Sequence, residues 1–200
     1  MKIVPEKLKM GDEIRIIAPS RSMRVLKEDV IKLATERLER LGLKVTFGKN
    51  VMKYKDEYFK CATIEERIED LHEAFKDKNV KAVMTVIGGY NVNQILDYID
   101  YKLIQENPKI ICGFSDITAL VNAIYTKTNM ITYLGVQFFS FGMKYGFDYS
   151  MEYFKKMFFE NEKIEVLSSK KWSNDKWLKN QEDRKFIDNI CNKVIIIENK

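Results

Sequence analysis

The sequence predicts an α/β fold: a doubly wound, mostly parallel sheet with helices on both faces, followed by a truncated second domain. Three observations predict it. Short apolar runs alternate with amphipathic stretches of helical spacing, and the run ending in Val86-Ile87 is apolar enough for a strand buried on both faces. Two glycine-rich turns, Gly88-Gly89 and Gly113, each follow such a run. In this kind of sheet ligands bind beyond the carboxyl ends of the strands, which is where both turns fall.

Glu13 to Ala18 is a short buried strand closed by Pro19-Ser20, after which Val30, Leu33, Ala34, Leu38 and Leu41 recur at helical spacing and stop at Gly42. Leu43 to Phe47 alternates as a second strand. Thr63 with Glu66 forms a capping box, opening a helix whose stripe is Ile64, Ile68, Leu71 and Phe75. Val80 to Ile87 is the third strand, followed by a helix from about Asn93 to Ile99 and a strand from Lys109 to Cys112. A helix carrying Ile117, Leu120, Val121 and Ile124 comes next, then a strand from Met130 to Leu134 and a helix from Tyr149 through Phe159. The polar stretch Ser168 to Asn192, with Trp172 and Trp177, and the apolar run Val194 to Ile197 break the alternation. The expected division is one domain over residues 1–165, with a linker and the remnant of a second domain over 166–200.

Composition narrows the function classes. The 34 basic and 29 acidic residues of this 200-residue chain interleave without a basic stripe, which argues against a nucleic-acid partner. No stretch reaches the roughly 18 apolar residues that span a bilayer, so no membrane partner is expected. Cys61, Cys112 and Cys191 are odd in number and lack metal-ligand spacing, as suits reduced thiols in the cytoplasm.

Gly113-Phe114-Ser115-Asp116-Ile117-Thr118 joins a strand to a helix through one sharp turn bearing a serine. That is the pattern of a nucleophile elbow, and equally of a serine N-cap. Asp116 falls in a first helical turn, where the dipole favours an acid. Gly88-Gly89 is either a plain turn or a place where backbone N–H groups approach a developing oxyanion; it is neither a dinucleotide fingerprint nor a P-loop. His72, the one histidine, falls on the capped helix beside its apolar stripe and reads as a half-buried helical residue. The aromatic set Tyr133, Phe138, Phe139, Phe141, Tyr145, Phe147 and Tyr149 reads as core or subunit interface, with a cleft wall as the alternative.

Ile17-Ala18-Pro19-Ser20, Val86-Ile87-Gly88-Gly89-Tyr90-Asn91 and Lys109 to Leu120, in that order, resemble the LD-carboxypeptidase family of serine peptidases, which includes the microcin-immunity peptidases. The resemblance covers roughly residues 1 to 165. It implies that Ser115 is the nucleophile, that Gly89 and Asp116 donate backbone N–H groups to the oxyanion, and that Gly88 permits the close approach. It further implies a metal-free, cofactor-free cytoplasmic homodimer acting on a peptide with a free terminal carboxylate, either a murein tetrapeptide or a peptidyl-nucleotide. The family's triad runs Ser, Glu, His, with the last two in a following domain, and this sequence has no histidine after His72. The resemblance therefore implies the N-terminal domain of such a peptidase, impaired in turnover, or a non-catalytic ligand-binding remnant. A flavodoxin-like nucleotide-binding module has the same fold but finds no phosphate motif here.

Overall fold

The computed structural model describes residues 2–176 and 181–189; Trp177, Cys191 and the apolar run Val194 to Ile197 lie outside them. Five strands, β1 (Glu13–Ile17), β2 (Lys44–Phe47), β3 (Val80–Thr85), β4 (Ile110–Gly113) and β5 (Tyr133–Leu134), form one sheet in the order β2-β1-β3-β4-β5. Every neighbouring pair is parallel. The doubly wound expectation holds, and the order reverses between β1 and β3, which opens a crevice at their carboxyl ends.

Side chains alternate across the strands and divide the core in two. Ile14, Ile16, Met84 and Cys112 face α1 (Glu28–Arg40), α5 (Phe138–Phe141) and α6 (Asp148–Phe159), meeting Val30, Ala34 and Leu38, Phe138 and Phe141, and Phe154 and Phe158. Ile17, Val83 and Ile111 face the other way, toward α2 (Ile64–Lys76), α3 (Tyr101–Glu106) and α4 (Thr118–Thr128). At the start of α2, Thr63 Oγ1 accepts from Glu66 N–H at 3.3 Å, and Glu66 Oε2 accepts from Thr63 N–H at 3.1 Å. The N-terminal segment closes the fold: Ile3 bridges Met130, with its N–H on Asn129 O and its carbonyl accepting from Ile131.

Four sequence expectations change. The helix placed at Asn93 to Ile99 is a 3-10 helix, Val92–Tyr98, whose buried Val92 and Ile95 have the spacing of three that this helix turns on one face; α3 then follows it. The strand Met130 to Leu134 contracts to β5 because Met130 pairs with Ile3 and the Thr132 hydroxyl donates to Val121 O. Phe138 to Phe141 coils into the short α5, burying Phe138 and Phe141, while Tyr145 and Tyr149 stay exposed. Finally, the polar stretch after Ser168 contains a small antiparallel pair, β6 (Lys171–Trp172) with β7 (Ile187–Asp188).

Asp70 on α2 is a buried acid, and among the described residues it has no cationic partner. Its carboxylate accepts from Asn50 N–H and Asn50 Nδ2, but burial outweighs these bonds and raises its pKa to about 6. A carboxyl raised above its unfolded value costs stability once ionised, so stability is lost as pH rises toward 6 and stays lost above it. Asp70→Asn is therefore expected to stabilise the protein at pH 8, by up to about 3 kcal/mol at ~1.4 kcal/mol per unit, with the gain gone by pH 4. The new amide has an acceptor within the cluster, since Asn50 Oδ1 is buried without a partner. Burial lowers the pKa of His72, which costs stability as pH falls below its ordinary value, but equally in both proteins. Urea unfolding at the two pH values checks this; an equal difference at both overturns it.

Candidate active site

The turn after β4 is strained where the sequence expects an elbow. Phe114 is fully extended, Ser115 has φ +63, and a 3-10 turn, Ser115–Ile117, leads into α4. A non-glycine residue in the left-handed region costs about 1–3 kcal/mol and persists only where its surroundings enforce it. Those surroundings are visible. Gln137 Nε2 donates to Phe114 O at 2.5 Å, the Phe114 ring stacks on Phe139, and Gly113 admits Thr85 and Ile117 where a Cβ would lie 2.4 Å and 2.6 Å from their side chains. Ser115 itself is exposed.

Gly88 abuts this serine: a Cβ there would lie 3.0 Å from Ser115 Cβ, 3.1 Å from Ser115 Oγ and 3.3 Å from Asp116 N. The two glycine turns therefore open at the same edge of the sheet. The N–H groups of Gly88, Gly89 and Asp116 meet no acceptor among the described residues. Of these, Gly88 and Asp116 N–H lie beside the serine, and Gly89 follows in the same loop.

The Asp116 side chain does more than complement a helix dipole, which is all the sequence suggested for it. Its Oδ2 accepts from Ser20 Oγ at 2.7 Å and from the N–H groups of Asn91 and Val92 at 3.0 Å each, tying the loops after β1 and β3 to the elbow. Ser20 Oγ also lies 3.0 Å from Asn91 Oδ1, yet it has one proton, which goes to the carboxylate. Turning the Asn91 amide over resolves the conflict, since its NH₂ then donates to Ser20 and its oxygen accepts the Cys61 thiol, 3.0 Å from Nδ2 as drawn. Beneath this lies Arg67, 3% exposed, donating to Pro19 O and Asn91 O at 3.1 Å and to Gln94 Oε1 at 2.9 Å. Burial lowers its pKa, and the nearby Asp116 carboxylate opposes that.

Sequence reasoning quoted Ser20 and Asn91 only as parts of motifs and missed Arg67. One signal could have found it: Arg67 follows Ile64 by three residues and precedes Leu71 by four, so a charge falls on the buried stripe of α2.

Among the described residues no base reaches Ser115. Its hydroxyl makes no hydrogen bond to any described side chain, and His72 Nε2 accepts from Asp100 N–H at 2.9 Å, on the α2 side of the fold. Cys112 is packing: burial pushes its thiol up to about 12. Among the described residues no group of His, Cys, Asp and Glu could hold a metal ion, and no helix is long and apolar enough to cross a membrane.

Fold and site together define an α/β protein that displays a strained serine at a strand-to-helix elbow, with a glycine turn against it at the same sheet edge. The chain belongs to the LD-carboxypeptidase family, whose N-terminal domain matches residues 14–135. A Treponema pallidum protein named as a carboxypeptidase is 48% identical over 91% of this chain and 53% of its own length. The crystal structure of an MccF-like protein from Bacillus anthracis superposes with TM-score 0.90 at 51% identity, covering 94% of this chain and 56% of that one. The microcin C7 self-immunity protein MccF, solved in complex with aspartyl sulfamoyl adenosine, gives TM-score 0.83 at 32% identity, over 94% of this chain and 58% of that one. The chain thus spans about half the length of the relatives it matches.

Proposed function

We propose that this chain carries the nucleophile and oxyanion half of a serine-type LD-carboxypeptidase site, with Ser115 as nucleophile and the N–H groups of Gly89 and Asp116 as oxyanion donors. The observation that carries the reading is Ser115 at φ +63 immediately after β4, with Gly88 against its side chain. A hydroxyl held outward at a sheet edge suits attack on a carbonyl, and backbone N–H groups that meet no acceptor among the described residues suit the charge that develops. Gly88 serves the close approach.

The substrate class is a peptide with a free terminal carboxylate, a murein tetrapeptide or a peptidyl-nucleotide. The names of the relatives support that class, and the protein acts as a metal-free homodimer in the cytoplasm. Free, buried Cys61 and Cys112 suit that compartment. Because the described residues bring no base to Ser115, the chain binds such peptides and turns them over poorly on its own. Calorimetric titration with an LD-linked tetrapeptide and its C-terminally amidated analogue tests the class. The amide is expected to bind about tenfold or more weakly, the cost of a lost charge-assisted bond; equal affinities overturn the assignment.

A further inference from the structure

Arg21 crosses the crevice where the strand order reverses. It leaves the loop after β1, and its Nε–H donates to Gly88 O, in the loop after β3, at 2.8 Å. Its stem covers the next residue, since a Cβ on Gly89 would lie 3.1 Å from Arg21 Cγ. Among the described residues no carboxylate pairs with its guanidinium.

We propose that Arg21 is a positioning residue that aims and polarises the Gly88-Gly89 peptide, turning the Gly89 N–H toward the oxyanion beside Ser115. The inference rests on the reading of Ser115 and Gly89 given above. In a trans peptide the C=O and N–H point in opposite directions, so a donor that holds Gly88 O on one side holds the Gly89 N–H on the other. Two successive glycines leave that plane free to rotate, because no Cβ restricts either neighbour. Arg21 removes the freedom. A charged donor on the carbonyl also draws electron density from the amide and strengthens its N–H as a donor, by about 10–30% per bond in a chain of hydrogen bonds. Its charge, unneutralised and one peptide removed from Ser115, favours an anion there over a neutral carbonyl. The effect therefore belongs to the tetrahedral state and not to the bound substrate.

Glycine-selective ¹⁵N labelling reads this directly, because the chain has nine glycines. In the free protein Arg21→Ala is expected to move the Gly89 amide resonance and speed its hydrogen exchange, leaving those of Gly11, Gly42 and Gly146 in place. Arg21→Ala is further expected to weaken binding of a phosphonate analogue of the LD-linked tetrapeptide by about tenfold or more, and of the tetrapeptide itself by less than about threefold. Arg21→Lys, which keeps the charge without the Nε–H, is expected to recover part of the phosphonate affinity but not the Gly89 resonance. An unmoved Gly89 resonance, or equal weakening of both ligands, overturns the proposal; equal urea midpoints of the variants exclude unfolding. If the unmutated protein binds neither ligand, the reading of the site fails, and the free-protein Gly89 resonance still decides the role of Arg21.

Discussion

Purified protein given an LD-linked murein tetrapeptide is expected to release the terminal D-residue roughly 10³-fold or more slowly than a family peptidase with a complete triad. A serine hydroxyl is a weak nucleophile until a base takes its proton, and triad members act as a unit, so a serine with no base beside it among the described residues keeps little of its nucleophilic contribution. Some rate survives, because oxyanion donors and substrate binding alone leave about 10³–10⁴-fold over water. The controls separate the causes. Ser115→Ala is expected to change the residual rate by less than about threefold, since without a base the hydroxyl contributes little. His72→Ala is expected to leave it unchanged, because Nε2 is engaged with Asp100 N–H away from the elbow. Robust turnover that falls in both variants would make His72 the base and overturn the assignment; robust turnover lost in Ser115→Ala alone would place the base elsewhere.

The parts of the fold legible in the sequence are those where local chemistry and tertiary packing agree. The capping box at Thr63 and Glu66, the buried run of β3 and the strand-to-helix turn at Ser115 each need only neighbours in sequence to be recognised. The fate of Met130 was illegible because it depends on Ile3, at the far end of the chain. The support beneath the elbow was illegible for a related reason. Ser20, Asn91 and Asp116 look like a turn residue, a turn residue and a helix-start residue, and only the β2-β1-β3-β4-β5 order brings the three loops within hydrogen-bonding reach.

Gly113→Ala is expected to destabilise the protein by about 3 kcal/mol or more, a large share of the 5–15 kcal/mol that holds a typical domain folded. Its Cβ would enter 2.4 Å from Thr85 Oγ1 and 2.6 Å from Ile117 Cγ2, and both neighbours are fully buried. Neither has space to retreat. The strain passes along the 3-10 turn to Ser115, so ligand affinity falls with stability. Gly135→Ala, whose Cβ would meet only Cys112 Sγ at 3.2 Å, is the matched control and is expected to cost under about 1 kcal/mol. Pairing Gly113→Ala with Thr85→Ala clears the nearer clash and is expected to restore part of the loss. Urea denaturation of the four proteins checks the series; a Gly113→Ala midpoint equal to the unmutated one overturns the steric account.

The bridge between Ile3 and Met130 sets a schedule for the growing chain. Ile3 is made well ahead of its backbone partners, Asn129 and Ile131, which come late in the five-stranded unit. At a synthesis rate of about 5–20 residues per second, Ile3 waits on the order of ten seconds for its place in the fold. Through that interval the segment around Ile3 has no place in the sheet to pair with. The same lag means that the unit cannot close its own seam until nearly all of it has been translated.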